Sequence, residues 1–355
     1  MIIPVERQKL WYPGKPVHFN FSNAALLIPG CGCCLNTGTG WFPSGARLYR
    51  YIDGVMQWYY PSGEVASGLY WAAVDDDDNC YVLAGKDAII EKIDPDGARV
   101  WTSGDIPLGG NNLARRGSTL LDRSYLYSTS NWPASDSYTL WRTKTLDGSI
   151  EGVYLHYSTL SSCAVTPGGN VVAGGYDWRP YTEPEFPENL FEIPPGGCDP
   201  GDWNWGVDTG STVSCVVTDS DGNVYTLRSG TVHPDYWEII DKYNSEGVLQ
   251  WSITIEDFYP SMIDCDDDGD VYFVAARYDS KSVWKADSTG IIDSYDTGGE
   301  TEDVFVRGDY LFVSGARTSN KNVWVLNRSD MALVNSIDVG QASKIYIMAI
   351  APSHP

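Results

Sequence analysis

The chain has 355 residues, 43% hydrophobic and 13% aromatic, with 36 glycines and 20 prolines; that is ample for a buried core and suits a turn-dense strand protein better than long helices. A formal net charge of −23 excludes a nucleic-acid backbone as partner, which would need a basic patch, and disfavours docking on anionic lipid. No stretch is long and apolar enough to span a membrane as a helix, and the opening Met-Ile-Ile-Pro-Val-Glu-Arg-Gln-Lys lacks the apolar core and cleavage site of a signal peptide, so we expect synthesis in the cytoplasm without export.

Residues 1–45 stand outside any repeat. They hold Trp11-Tyr12-Pro13-Gly14, a strand pattern at Val17–Phe21, an apolar run at Ala24–Ile28 and then Gly30-Cys31-Gly32-Cys33-Cys34. We expect an N-terminal extension here, packed on the body or on a partner.

From residue 46 onward the chain repeats itself. A strand, a tight glycine turn and a returning strand recur at Tyr49–Trp58, Ile89–Trp101, Leu140–Tyr154, Cys198–Trp205, Ile240–Trp251, Val283–Tyr295 and, more loosely, Val323–Ile337. In the copies with Gly54, Gly97, Gly201 and Gly247, a tryptophan stands four residues after the glycine. The copies are about 46 residues apart, a period that signals a propeller or solenoid of strand units. One four-stranded sheet of this length cannot cover both its faces, and a ring of sheets covers all of them.

The fuller units open with an apolar strand and an acidic turn. Leu69–Val74 precedes Asp75–Asn79, Val213–Thr218 precedes Asp219–Asn223, and Tyr259 leads into Asp264–Asp270. Such turns between alternating strands are hairpin signals, because the glycine supplies positive φ. The first and last units are incomplete. Tyr49–Trp58 lacks an opening pair, and Ser343–Ala351 is an opening strand with no hairpin after it. Joined, they make one unit. The expectation is therefore an all-β, seven-bladed β-propeller over 46–355, closed by N- and C-terminal strands sharing one blade, with 1–45 as the extension. Closure of this kind hides edges that an open array would expose.

The hairpins Tyr51–Trp58, Ile93–Trp101 and Lys242–Trp251 follow apolar-x-Asp-x-x-Gly-x-x-x-Trp closely enough to resemble the repeat of the PQQ-like, or quinoprotein-like, β-propellers. The resemblance is at the level of the repeat and implies the propeller fold; many such propellers bind no quinone. It also frames a rival function, quinone-dependent oxidation. Cys33-Cys34 is similar to the vicinal disulfide of quinoprotein dehydrogenases, although it lies outside the repeats.

Candidate sites are few. Asp264, Asp266, Asp268 and Asp270 alternate before and after Gly269, a pattern that can converge on calcium. Recurrence of carboxylates at 75–78, 219 and 221 supports the alternative that they are turn formers. Cys31, Cys33 and Cys34 with His18 could ligate zinc, but their spacing is not that of a zinc knuckle. Cys80, Cys163, Cys215 and Cys265 fall in strand patterns as small buried apolar groups. No Gly-x-Ser-x-Gly elbow is present, and His18, His156, His233 and His354 are scattered. Trp132, Trp178, Tyr181 and Trp237 sit in loops or at strand ends, where they would serve contact with protein or glycan or anchor their loops by burial on the body.

These readings favour a non-catalytic structural or interaction module with no cofactor, calcium being the one metal the acidic turn would take. Its partners would be other proteins of a larger assembly, reached in part through the N-terminal extension. A phage virion component (tail, fibre or capsid-associated protein) is the assembly we expect. The alternatives are a quinoprotein-like oxidoreductase and a carbohydrate-binding or carbohydrate-active propeller.

Overall fold

The computed structural model describes residues 25–31, 46–52, 55–61, 69–75, 77, 79–84, 89–104, 118–121, 125–129, 140–154, 159–176, 188–194, 203–229, 237–255, 260–275, 283–319, 321–338 and 349–350. Strands β1 (Ala25–Cys31), β2 (Ala46–Ile52) and β3 (Val55–Pro61) open the chain. Strands β4–β7 follow at Leu69–Val74, Cys80–Ala84, Ile89–Ile93 and Arg99–Thr102, and β8–β11 at Ser118–Leu121, Tyr125–Thr129, Leu140–Lys144 and Ile150–Tyr154. Next are β12–β15 (Thr159–Val165, Val171–Tyr176, Leu190–Ile193, Trp205–Val207) and β16–β19 (Val213–Thr218, Val224–Ser229, Glu238–Tyr243, Leu249–Ile255). The chain ends with β20–β23 (Pro260–Cys265, Val271–Ala275, Val283–Asp287, Gly290–Tyr295), β24–β27 (Thr301–Arg307, Tyr310–Thr318, Lys321–Asn327, Leu333–Ile337) and β28 (Ala349–Ile350).

Among the described residues, six sheets are each built from four consecutive strands, β4–β7 through β24–β27. Each first strand touches the first strand of the next sheet, from β4 to β8 and on to β24, and β28 with β1 stands between β24 and β4. This is a β-propeller of radially arranged sheets. The expectation of a seven-bladed propeller is corrected: among the described residues, six blades are built from four consecutive strands. The remaining sheet, in the order β28-β1-β2-β3, is assembled from both ends of the chain. Its β28 pairs with β1 (Leu26 with Ile350, Leu27 with Ala349), not with the hairpin β2–β3 directly. The boundary read at residue 45 falls between β1 and β2, which pair from Ala25–Ile52 to Cys31–Ala46.

Burial follows radial position. The second strand β21 is buried at every residue, because neighbouring sheets cover both its faces. The outer strand β19 alternates exposed and covered positions over its second half, the pattern of a strand with one face on the core. The largest apolar cluster joins three blades through Leu227, Ile263, Phe273, Val304, Val313 and Trp324. Another runs from Ala164, Val172 and Leu190 to Val213, Val216 and Val224 of the next blade. Each such side chain, fully buried, contributes about 1.5–3 kcal/mol, so the hydrophobic stabilisation lies between blades as much as within them. Cys80, Cys163, Cys215 and Cys265 are free thiols inside this core. Burial pushes the thiols of Cys163 and Cys265 well up, which keeps them inert.

The repeated tryptophan joins blades in the same way twice. Trp101 of β7 donates its indole N–H to the Thr145 carbonyl at 3.1 Å and covers Gly148, where a Cβ would lie 2.7 Å from the ring. Trp205 of β15 donates to the Ser245 carbonyl at 3.1 Å and covers Gly247, where a Cβ would lie 2.6 Å from the ring. Gly148 and Gly247 also hold φ of 74° and 77°, a left-handed backbone that costs other residues about 1–2 kcal/mol. Glycine and tryptophan therefore recur together because the glycine of one blade seats the tryptophan of the blade before it. Gly247→Ala is expected to lower stability by about 3 kcal/mol, strain plus displacement of the indole. Gly210→Ala, at φ 73° with nothing within 4 Å, is expected to cost only about 1 kcal/mol. Urea unfolding of the two variants measures the difference.

Candidate functional site on the turn face

Antiparallel order places the turn after each first strand and the turn after each third strand on one face of the ring. In three blades the first of these turns is built around a buried aspartate. Asp219 Oδ1 accepts the backbone N–H of Asp221 at 3.0 Å and of Asn223 at 2.8 Å; Oδ2 accepts Asn223 Nδ2 at 2.7 Å and the Tyr225 hydroxyl at 3.0 Å. Asp75 does the same with Asp77, Asn79 and Tyr81. Asp266 accepts the backbone N–H of Asp268 and Asp270 and the Tyr272 hydroxyl, with Asp270 in the place of the asparagine. Burial, and then the charge of the adjoining aspartate, push the hydroxyls of Tyr81 and Tyr272 far up, so both stay protonated donors.

A row of side chains runs outward beneath each of these turns. Register sets Tyr81 opposite Lys92 and Lys92 opposite Trp101; Tyr225, Lys242 and Trp251 form the same row. The ammonium groups of Lys92, Lys242 and Lys285 lie 5.3, 4.9 and 5.5 Å from the ring centres of Tyr81, Tyr225 and Tyr272, within cation–π range. Each then meets a turn. Lys92 donates to the Thr145 carbonyl of the next blade at 3.3 Å. Lys242 Nζ stands 3.1 Å from where a Cβ on Gly269 would be. Lys285 pairs with Asp270 of its own blade at 2.7 Å. The signal in the chain is a tyrosine six residues after an aspartate, with a lysine on the following strand, and the sequence reading missed it.

Blade β12–β15 departs from this pattern. Thr166 replaces the aspartate, its hydroxyl accepting Asn170 N–H at 3.2 Å. Val172 stands where the tyrosine would be, opposite Glu192 in place of lysine, and Glu192 lies opposite Trp205. A cleft of about 210 Å³ opens there, lined by Thr166, Gly168, Asn170 and Glu192 of one blade and by Ser220, Asp221 and Ser245 of the next. Glu192 is 6% exposed. Its oxygens accept Asn170 Nδ2 at 2.8 Å and Asn204 Nδ2 at 3.2 Å.

Each of the four proposed calcium ligands meets a partner within the protein. Asp264 lies on β20, its oxygens accepting the N–H of Cys265 at 3.0 Å and of Val306 in the next blade at 2.7 Å. Asp266 meets Arg328 at 3.4 Å, Asp268 meets Arg328 at 2.9 Å, and Asp270 meets Lys285 at 2.7 Å. Burial raises the Asp266 carboxyl against the pull of Arg328. Among the described residues no three His, Cys, Asp or Glu side chains gather as a metal site. Trp237 is half-buried just ahead of β18, and its neighbour Glu238 is pushed up to about 7 by burial. Trp132, Trp178 and Tyr181 lie outside the described residues, as do His18, Cys33, Cys34, His156, His233 and His354. Of the proposed zinc ligands, only the Cys31 backbone is placed, at the end of β1.

No protein-family model matches the chain, and no curated protein does. Solved structures do. The chain is similar to apo AztD from Citrobacter koseri, at 11% identity and TM-score 0.56 over 94% of this chain and 98% of that one. It is similar to a catalytically inactive virginiamycin B lyase from Staphylococcus aureus bound to quinupristin, at 17% identity and TM-score 0.54 over 77% and 85%. A chain of a nidogen–laminin complex matches at 12% identity and TM-score 0.51 over 94% and 100%. The lyase and AztD are propeller-type proteins, and at these identities the likeness shows the fold alone.

Asp219→Ala would leave two N–H groups and a phenol without their acceptor and is expected to cost about 3 kcal/mol by urea unfolding. With the charge of the 264–270 turn met by Arg328 and Lys285, millimolar calcium is expected to leave the melting temperature unchanged. A rise in melting temperature with calcium that disappears in Asp266→Asn would establish the metal reading. The Glu238 carboxyl has its folded value raised from an ordinary 4.5 to about 7. Between those values the folded state keeps a proton that the unfolded state has lost, so stability falls as pH rises through that window. Glu238→Gln is expected to raise the melting temperature at pH 8 and to leave it unchanged at pH 4.

Proposed function

We propose that this chain is a non-catalytic structural and interaction propeller working inside a larger assembly, such as a phage virion. One observation carries the reading. The outer strands and the turns leading into them expose large aliphatic side chains in five of the blades. These are Val100, Leu146, the pair Val248 and Leu249, the pair Ile291 and Ile292, and the pair Leu333 and Val334, each between 42% and 85% exposed. Edge strands of soluble proteins are ordinarily protected by charge or cover, and repeated exposed apolar groups mark contact surfaces. Acidic turn residues flank them: Asp96, Asp147, Glu246, Asp293 and Asp330 are all exposed. With a net charge of −23, a second copy of the chain would be repelled, so the complementary occupant is a different protein with a basic and apolar surface.

In this reading the repeats are of the PQQ-like kind, and the composite sheet β28-β1-β2-β3 acts as a seventh blade that seals the ring. The N-terminal segment ahead of β1 offers a further contact to the assembly. The turn-face chemistry supports a structural role, since the buried aspartates spend their oxygens on their own turns.

Mass spectrometry of purified particles is expected to find the chain travelling with a virion; recovery only in soluble extract would overturn that placement. Changing Ile291, Ile292, Leu333 and Val334 to serine is expected to leave the melting temperature within a few degrees and to abolish incorporation, read by the chain's yield in sedimented particles. Full incorporation of a folded variant would remove the rim from the proposal.

A further inference from the structure

We propose that the cleft beside Glu192 is a binding site for a primary ammonium group, either the tip of a partner's lysine side chain or a small free alkylamine. Lys92, Lys242 and Lys285 occupy one cross-strand position beneath the turn face, each over the ring of a tyrosine. Register puts Glu192 in that position and Val172 in the place of the tyrosine. The exchange reverses the charge and removes both long side chains, and the cleft of about 210 Å³ lies there. The protein's own cation is thus replaced by an acid facing an open cleft.

Two further observations point to a cationic ligand. Glu192 is buried, yet its oxygens are met by two neutral amides, where Asp219 receives four hydrogen bonds. A buried carboxylate is stabilised most by a paired cation. Across the cleft, the buried Ser220 hydroxyl has no hydrogen-bond partner, a condition that costs free energy until something fills it. An ammonium group has three N–H donors, and Glu192 and Ser220 line the cleft from adjacent blades. The volume falls below the roughly 300–1,000 Å³ typical of pockets for whole metabolites, which suits a side-chain tip or a short amine. The site is distinct from the aliphatic rim, so neither test bears on the other.

Saturation-transfer NMR on the full chain tests it, with Nα-acetyl-lysine methylamide as probe and the norleucine analogue, which lacks the charge, as control. The lysine derivative is expected to bind at millimolar strength and the norleucine analogue is not. Glu192→Gln is expected to weaken binding more than about tenfold with its melting temperature kept. The double variant Val172→Tyr, Glu192→Lys, which rebuilds the row of the sister blades, is expected to abolish binding while remaining folded. n-Butylammonium separates the two sources: binding of both probes supports a side-chain guest, and binding of n-butylammonium alone supports a free amine. Equal binding of lysine and norleucine derivatives, undiminished binding to either folded variant, or no binding of either amine to the wild-type protein at about 10 mM would overturn the proposal.

Discussion

At two of the seams, a tryptophan lying on a glycine of the next blade fixes how the blades meet. Sheets packed face to face can slide, because aliphatic contacts carry little direction. The indole removes that freedom. Its flat face requires a residue without Cβ, and its N–H requires a carbonyl at one place, met by Thr145 for Trp101 and by Ser245 for Trp205. The angle between blades is then set by a hydrogen bond and a steric seat together. Lysine adds to this in blade β4–β7, where Lys92 shares the Thr145 carbonyl with Trp101.

Beneath the same face, the buried aspartates do for each turn what the tryptophans do for the ring. A carboxylate with four acceptor positions gathers two backbone N–H groups, a side-chain amide and a phenol, so one residue fixes the turn and anchors the strand that follows it. Removing such a carboxylate from water is tolerable because these donors replace its hydration. Where positive charge is also needed, it arrives from elsewhere: Arg328 serves the turn of the preceding blade at Asp266 and Asp268. The turn face is thus a lattice of acids and bases held in register by the strands. Blade β12–β15, with Glu192 in the place of lysine, stands out against the three blades that share the row.

How much of this was legible in the sequence depended on distance along the chain. Gly97 and Trp101 lie within one hairpin, so their spacing announced the repeat directly. The seat of that tryptophan is more than forty residues away, and only the fold brings it near. The carboxylates at 264–270 looked like a calcium loop because Lys285 and Arg328, which meet them, sit on other strands. The Tyr225–Lys242–Trp251 row was missed because its members are scattered over three strands and become neighbours only once register is set. Ala25–Cys31 was read as part of an extension for a similar reason. It adjoins no glycine turn, and its partner Ala46–Ile52 lies beyond a long connection. The incomplete first and last units pointed to one sheet shared by both chain ends, but not to β1 as the strand that joins them.

That composite sheet has a kinetic consequence. Every other blade is made from strands close in sequence, so each closes small loops and can form early. Joining Leu26 to Ile350 closes almost the whole chain on itself, the most entropically demanding contact in the molecule. Folding should therefore proceed as local blades that dock in series, with the meeting of the two ends as the final step. Until that step, a nascent or partly unfolded molecule is an open arc whose two end sheets each leave a face uncovered.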